Sequence, residues 1–218
     1  MHSPYDAALR ALVMPLMAKG NDPCHDLHHL DRVHRNAVLI ARSEKADVEV
    51  VGAAAYVHDL DRAGMTKEEA QRLAADLLVQ VGFPAAKRDA VMECVRRHSD
   101  YTFKPGGKKP TTLEARVLQD ADKLEAIGAI GAARAFSFGG LKARPLWDGE
   151  KPIEGRPYTT GVGGDASTLQ HFYDKLLRLT PDEFNTAAGK RAAAERQEFL
   201  RAYLAAFYRE WHGEDLPR

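Results

Sequence analysis

Apolar residues recur at three- and four-residue spacing along nearly all of the 218-residue chain, and that period predicts helices. Tyr5, Leu9, Leu12, Val13, Leu16 and Met17 trace one stripe, with Ser3 and Pro4 suited to a helix start. Leu30, Val33, Ala37, Val38 and Ala41 trace a second. Residues 48–60 are small and apolar on nearly every side, the pattern of a helix buried at the centre of a bundle. Thr66 and Glu69 form a capping-box signal for a helix ending near Gly82. Pro84 fits the first turn of the next helix, which is expected to run to about Arg97.

The stretch "DYTFKPGGKKP" breaks the pattern with two prolines and a Gly-Gly pair. One continuous helix is expected from about Thr112 to Phe136. Residues 137–165, rich in glycine and proline, read as one long loop, a length usually reserved for function. Its aromatics Phe138, Trp147 and Tyr158 suit either covering a ligand's base or packing against the bundle. A helix is expected from about Ser167 to Leu179. The last should start with Thr180 as cap and Pro181 in its first turn, and reach Trp211. Lys190, Arg191, Glu195, Arg196, Glu198 and Arg201 alternate in sign along an exposed face of it. No stretch has the alternation of a strand. The expected fold is all-α, one domain over 1–218, with the chemistry-bearing helices in about 25–136, the loop at 137–165 and closing helices in 166–212.

Composition narrows the function classes. The 31 basic and 31 acidic residues cancel, so no global field draws nucleic acid or an anionic membrane. No apolar run has the length of a membrane span. The N-terminal "MHSPYDAALR" lacks the layout of a secretory signal. Cys24 and Cys94 are too few for a disulfide framework. A cytoplasmic protein with reduced thiols is expected; the oligomeric state is left open. His2 and His212 read as exposed.

The chemistry concentrates in three places. His58 and Asp59 stand side by side at the end of the buried third helix. "CHDLHHLDRVHRNA" supplies His25, His28, His29 and His34, of which His34 reads as a core histidine. "LQDADKLEAIGAIGAAR" places Asp120 and Asp122 inside an apolar helix, where an unpartnered carboxylate is costly. His29, His58, Asp59 and Asp122 make a mixed nitrogen and oxygen set without thiolate, unlike a structural zinc site. Such a set leaves coordination positions open and suits Mn²⁺, Fe²⁺, Co²⁺, Ni²⁺ or Mg²⁺.

These stretches resemble one family, the HD-domain metal-dependent phosphohydrolases. "HHLDRVHRNA" resembles its first motif, "AAAYVHDLD" the His-Asp motif and "QDADKLEAIGAIGAAR" its distal aspartate motif. "LQHFYDKLLRL" and "FNTAAGKRAAAERQEFLRAYLAAFYREW" resemble the closing helices of the small bacterial single-domain branch. The resemblance implies an HD-domain helical bundle holding one divalent ion, Mn²⁺ first in order, on His29, His58, Asp59 and Asp122. Asp120 then supports the site, and His25, one turn before His29, replaces or assists it. Many members carry an acidic residue three positions after the aspartate of the pair; here that residue is Arg62, which leaves Asp61 as the candidate proton donor.

The resemblance also implies a small-molecule phosphate substrate, a nucleotide, with release of phosphate or of pyrophosphate from nucleoside triphosphates. A divalent ion polarises a phosphoryl group and lowers the pKa of a water. Asp59 or a neighbouring carboxylate would steer that water's proton. Arg32, Lys123, His98 and Lys175, in that order, are the candidates to hold the remaining phosphate charge. Two other readings compete. One is a non-catalytic module binding nucleotide or metal. The other is a di-iron oxygenase, which needs more histidines between the pair and the distal aspartate than His98 alone.

Overall fold

The computed structural model describes residues 3–20, 22–104, 106–155 and 167–217. They form nine α-helices and, among the described residues, no strand: α1 (Pro4–Met17), α2 (Leu27–Glu44), α3 (Val48–Val57), α4 (Lys67–Gln80), α5 (Ala85–Arg97), α6 (Leu113–Leu124), α7 (Gly128–Leu141), α8 (Thr168–Asp174) and α9 (Ala187–Trp211). Short 3-10 turns occupy Leu60–Ala63, Leu176–Arg178 and Pro181–Glu183. No helix among these residues is long and apolar enough to cross a membrane.

The small apolar residues of α3 make it the axis of the bundle. Residues Val50 to Val57 are all buried, and α1, α2, α5 and α6 pack around them. Burial of each larger side chain there stabilises the fold by roughly 1.5–3 kcal/mol. Asp47 caps the helix by accepting from the amides of Glu49 and Val50. Asp26 caps α2 by accepting from the His29 amide at 2.8 Å, which fixes the first turn that carries this histidine. Thr66 and Glu69 form the expected capping box of α4.

Several boundaries differ from the sequence reading. Residues 112–136 are two helices, α6 and α7, separated by a turn at Gly128. That glycine has a φ of 72°, a left-handed conformation no interior helix position takes. Helix α7 then continues to Leu141, into the expected loop. Pro84 stands at the cap of α5 rather than inside its first turn. The helix expected over Ser167 to Leu179 stops at Asp174 and tightens into a 3-10 turn. Thr180 and Pro181 head another 3-10 turn, and α9 starts only after Thr186, whose hydroxyl accepts from the Gly189 amide. The cause of the late start lies elsewhere in the chain. The Asp120 carboxylate takes the amides of Asn185 and Thr186, so these residues are extended and anchored before the helix begins.

Trp147 packs against Tyr208, Trp211 and His212 and donates to the Glu150 carbonyl, so it belongs to the bundle wall. His34 is buried and bonded to Asp6 at 2.9 Å. Cys24 and Cys94 are separate buried thiols. His2 and Tyr158 lie outside the described residues.

Candidate metal centre

Three elements converge beside the C-terminal end of α3. The His58 ring leaves the last turn of that helix and donates from Nδ1 to the Ala55 carbonyl at 2.9 Å. A carbonyl only accepts, so Nδ1 carries the proton and Nε2 presents a lone pair. The chain bends at Asp59, which turns its carboxylate back beside that Nε2 at 3.5 Å. His29, from the first turn of α2, brings its own Nε2 to 3.5 Å from the same Asp59 oxygen. Asp122, near the end of α6, places Oδ1 3.6 Å from His29 Nε2 and 3.9 Å from His58 Nε2.

These separations are too long for hydrogen bonds. Two ligands of one cation, each about 2.0–2.2 Å from it, stand roughly 3.0–3.6 Å apart. His29, His58 and Asp59 each offer one atom within 4.8 Å of the others. Both imidazole Nε2 atoms are buried without a hydrogen-bond partner. A buried polar atom left unsatisfied is costly, and two such lone pairs facing two carboxylates fit a divalent cation. Residues of this group can therefore hold a metal.

The surroundings fix the ligands in place. Burial alone would push the Asp59 carboxyl up, but His58, His29 and His98 around it hold it well below the usual carboxylate range. Asp122 is likewise held down against burial by His58, with His29 and His98 adding to the effect. Glu125, one turn beyond Asp122, lies 3.6 Å from His29 Nδ1 and is gripped by Arg32 Nε at 2.6 Å. At that distance Glu125 is a charge neighbour of the ring, and His29 Nδ1 has no hydrogen-bond partner among the described residues. Arg134 braces the same corner through the carbonyls of Glu125 and Cys24.

The expected site residues thus have different positions. His29, His58 and Asp59 meet at one point, and Asp122 approaches the two imidazoles from α6 without joining that mutually close group. His98, at the end of α5, donates from Nδ1 to the Val95 carbonyl and turns Nε2 towards the outer oxygen of Asp59 at 3.4 Å. Burial pushes the His98 pKa down, yet the Asp59 contact outweighs it and leaves the ring raised. Lys175, just beyond α8, has its amine 5.3 Å from the centre of the Tyr101 ring. Burial lowers its pKa to about 8, and the acid acting on it is Asp122.

Other expectations are corrected. Lys123, expected at a phosphate, is instead fully buried and donates to Gln119 Oε1 and the Glu183 carbonyl. Arg32 serves Glu125. Asp120 faces Asn185 and Thr186, and supports α9 rather than the site. His25 binds Asp22 through Nδ1 at 2.6 Å and meets the His29 ring edge-on. Among the described residues, no ion pair of the cluster includes Asp61; its neighbour Arg62 lies 4.0 Å from Asp59. Glu125, Lys104 and Tyr101 escaped the sequence reading. Only Glu125 had a signal, an acid one turn after Asp122 in an apolar helix.

The HD domain profile matches residues 26–127, which span α2 to the end of α6 and contain every residue of the cluster. YpgQ of Bacillus subtilis is 35% identical over 197 residues, covering 88% of this chain and 86% of its own length. The crystal structure of YpgQ in complex with ADP superposes with a TM-score of 0.71 at 32% identity, over 94% of each chain. An HD-superfamily hydrolase from Bacillus thuringiensis superposes with a TM-score of 0.74 at 27% identity, over 95% of this chain and 96% of its own. A Lactobacillus plantarum protein reaches a TM-score of 0.79 at 28% identity, over 97% and 99% of the two chains.

Proposed function

This chain belongs to the HD-domain family, whose members include hydrolases and bind divalent metals, and we propose that it is a metal-dependent phosphohydrolase acting on nucleotides. We take 1–218 as a single domain, with His29, His58, Asp59 and Asp122 as the ligands of one divalent ion, Mn²⁺ first in order. The observation that carries this reading is the pair of buried, partnerless Nε2 atoms facing two carboxylates. The ADP bound by YpgQ supports a nucleotide as the substrate class.

A cation bound there supplies charge neutralisation on a phosphoryl group and a more acidic water. The chain's own residues do the rest. The Ala55 carbonyl orients the His58 imidazole, and Glu125 places a negative charge behind that of His29. Asp59 turns one oxygen to the ligand cluster and the other to His98, so a proton leaving the attacking water can pass along this pair. His98 takes the proton-handling role that the sequence left to Asp61. Lys175 and Arg62 supply positive charge at the rim of the cluster.

The test is a hydrolysis screen of metal-stripped protein, with Mn²⁺, Co²⁺, Ni²⁺, Fe²⁺ or Mg²⁺ added back and nucleoside mono-, di- and triphosphates as substrates. Turnover should appear only with added ion and fall about a hundredfold or more in His58→Ala. Equal turnover in the presence of a chelator contradicts the reading. An ion bound without turnover on any nucleotide favours a non-catalytic module.

A further inference from the structure

The C-terminal part of the bundle holds a cavity of about 510 Å³, lined from α8, the 3-10 turn after it, α9 and the Glu154-Gly155 pair. Small-molecule sites have volumes of roughly 300–1,000 Å³, with an apolar lining and a few placed polar groups. None of His29, His58, Asp59, Asp122, His98 and Lys175 lines this cavity, so it is separate from the candidate metal centre.

Its walls have an apolar part and a polar part. Leu177 and Leu204 supply the first. The second is a pair of phenols, Tyr173 and Tyr208, whose hydroxyl oxygens stand 3.3 Å apart. One of them donates to the other, and no acceptor among the described residues takes the proton that remains. Burial pushes the Tyr208 phenol up, so it stays protonated at neutral pH. Trp147 meets the Tyr208 ring edge-on at 4.9 Å and holds that wall in place.

Charge sets the sign of a ligand. Two guanidiniums, Arg178 and Arg201, line the cavity beside a single acid, Glu154, which leaves positive charge in excess. Arg178 is laid over the Phe103 ring at 4.6 Å. Arg201 makes no ion pair with Glu154 or with any other described residue. A guanidinium fork without an acid matches a carboxylate through two parallel hydrogen bonds. A flat ring suits walls made of leucine and tyrosine.

We propose that this cavity is a second small-molecule site, which takes an aromatic monocarboxylate with its carboxylate on Arg201 and the phenol pair and its ring against Leu177 and Leu204. The site stands apart from the phosphohydrolase reading and holds whether or not nucleotides are turned over.

The experiment is calorimetric titration of the Mn²⁺-loaded protein with naphthoate and, as the cation of similar shape, naphthylmethylammonium. Wild type should bind naphthoate saturably, at one per chain, and the ammonium far more weakly. Arg201→Gln should weaken naphthoate binding about tenfold or more, the loss of a charge-assisted contact. Arg201→Lys should recover part of that loss. Ala205 lines the cavity from an exposed position on α9, so Ala205→Trp should fill it and abolish binding without disturbing the fold. Wild-type Mn²⁺ titrations and unfolding midpoints for the variants show that the fold is intact. Arg201 is exposed, so its variants keep the test decisive even where Ala205→Trp unfolds. No saturable binding to wild type, equal binding of the ammonium, or undiminished binding in Arg201→Gln overturns the proposal. So does naphthoate binding that is lost in His58→Ala and kept in Ala205→Trp, because the anion then sits at the metal centre.

Discussion

Asp120 and Asp122 stand two positions apart on α6, about 200° around the helix from each other. Asp122 faces the two imidazoles. Asp120 is fully buried on the other side and accepts from the amides of Asn185 and Thr186, from the Asn185 side chain and from the Thr186 hydroxyl. Removing either carboxylate should therefore have opposite signatures. Asp122→Ala should weaken metal binding by about a hundredfold or more, with the unfolding midpoint of the metal-free protein nearly unchanged. Asp120→Ala should cost about 3 kcal/mol or more in urea unfolding, because it orphans several buried donors, while the folded fraction binds metal as wild type does. Calorimetry and denaturation on the same two variants check both statements. At this scale the sequence was informative about residue type and poor about direction. An acid in an apolar helix announces a partner, but the partner of Asp120 lies 65 positions away. Lys123 was misplaced for the same reason. Adjacency to Asp122 in the chain rotates it about 100° away, into a contact with Gln119 and the Glu183 carbonyl.

At the scale of elements, the turn between α6 and α7 sets where Asp122, Glu125 and Arg134 stand relative to each other. Its pivot is Gly128, with φ at 72°. A Cβ there would also meet the Arg196 side chain at 2.9 Å, whose guanidinium donates to the Leu124 carbonyl at the end of α6. Gly128→Ala should destabilise the fold by about 1–2 kcal/mol from the backbone alone, and by more if Arg196 must shift. Thermal unfolding of the metal-free protein reads the effect. A variant as stable as wild type would mean that the turn is not constrained in this way. The sequence concealed this break, because "AIGAIGAAR" keeps a helical apolar period through the glycine, and an isolated glycine is tolerated in helices. The starts of α1 and α4 were legible because their caps are local, Ser3 with Asp6 and Thr66 with Glu69. The start of α9 was not, because a distant carboxylate sets it.

The whole molecule is a bundle built around α3, and the candidate centre is where that buried axis ends. α2, α3 and α6 each bring donors to it, while α5 adds His98 from behind. The all-α architecture was readable from periodicity, and the candidate donors were proposed from motif. Their convergence was not readable, because it depends on the crossing of helices far apart in sequence. We propose that one divalent ion sits between these helices. An anomalous difference map from crystals soaked in Mn²⁺ tests it most directly. One strong peak per chain is expected, about 2.0–2.3 Å from His29 Nε2, His58 Nε2 and one oxygen each of Asp59 and Asp122. No peak at that point, or two peaks sharing the cluster, would contradict it.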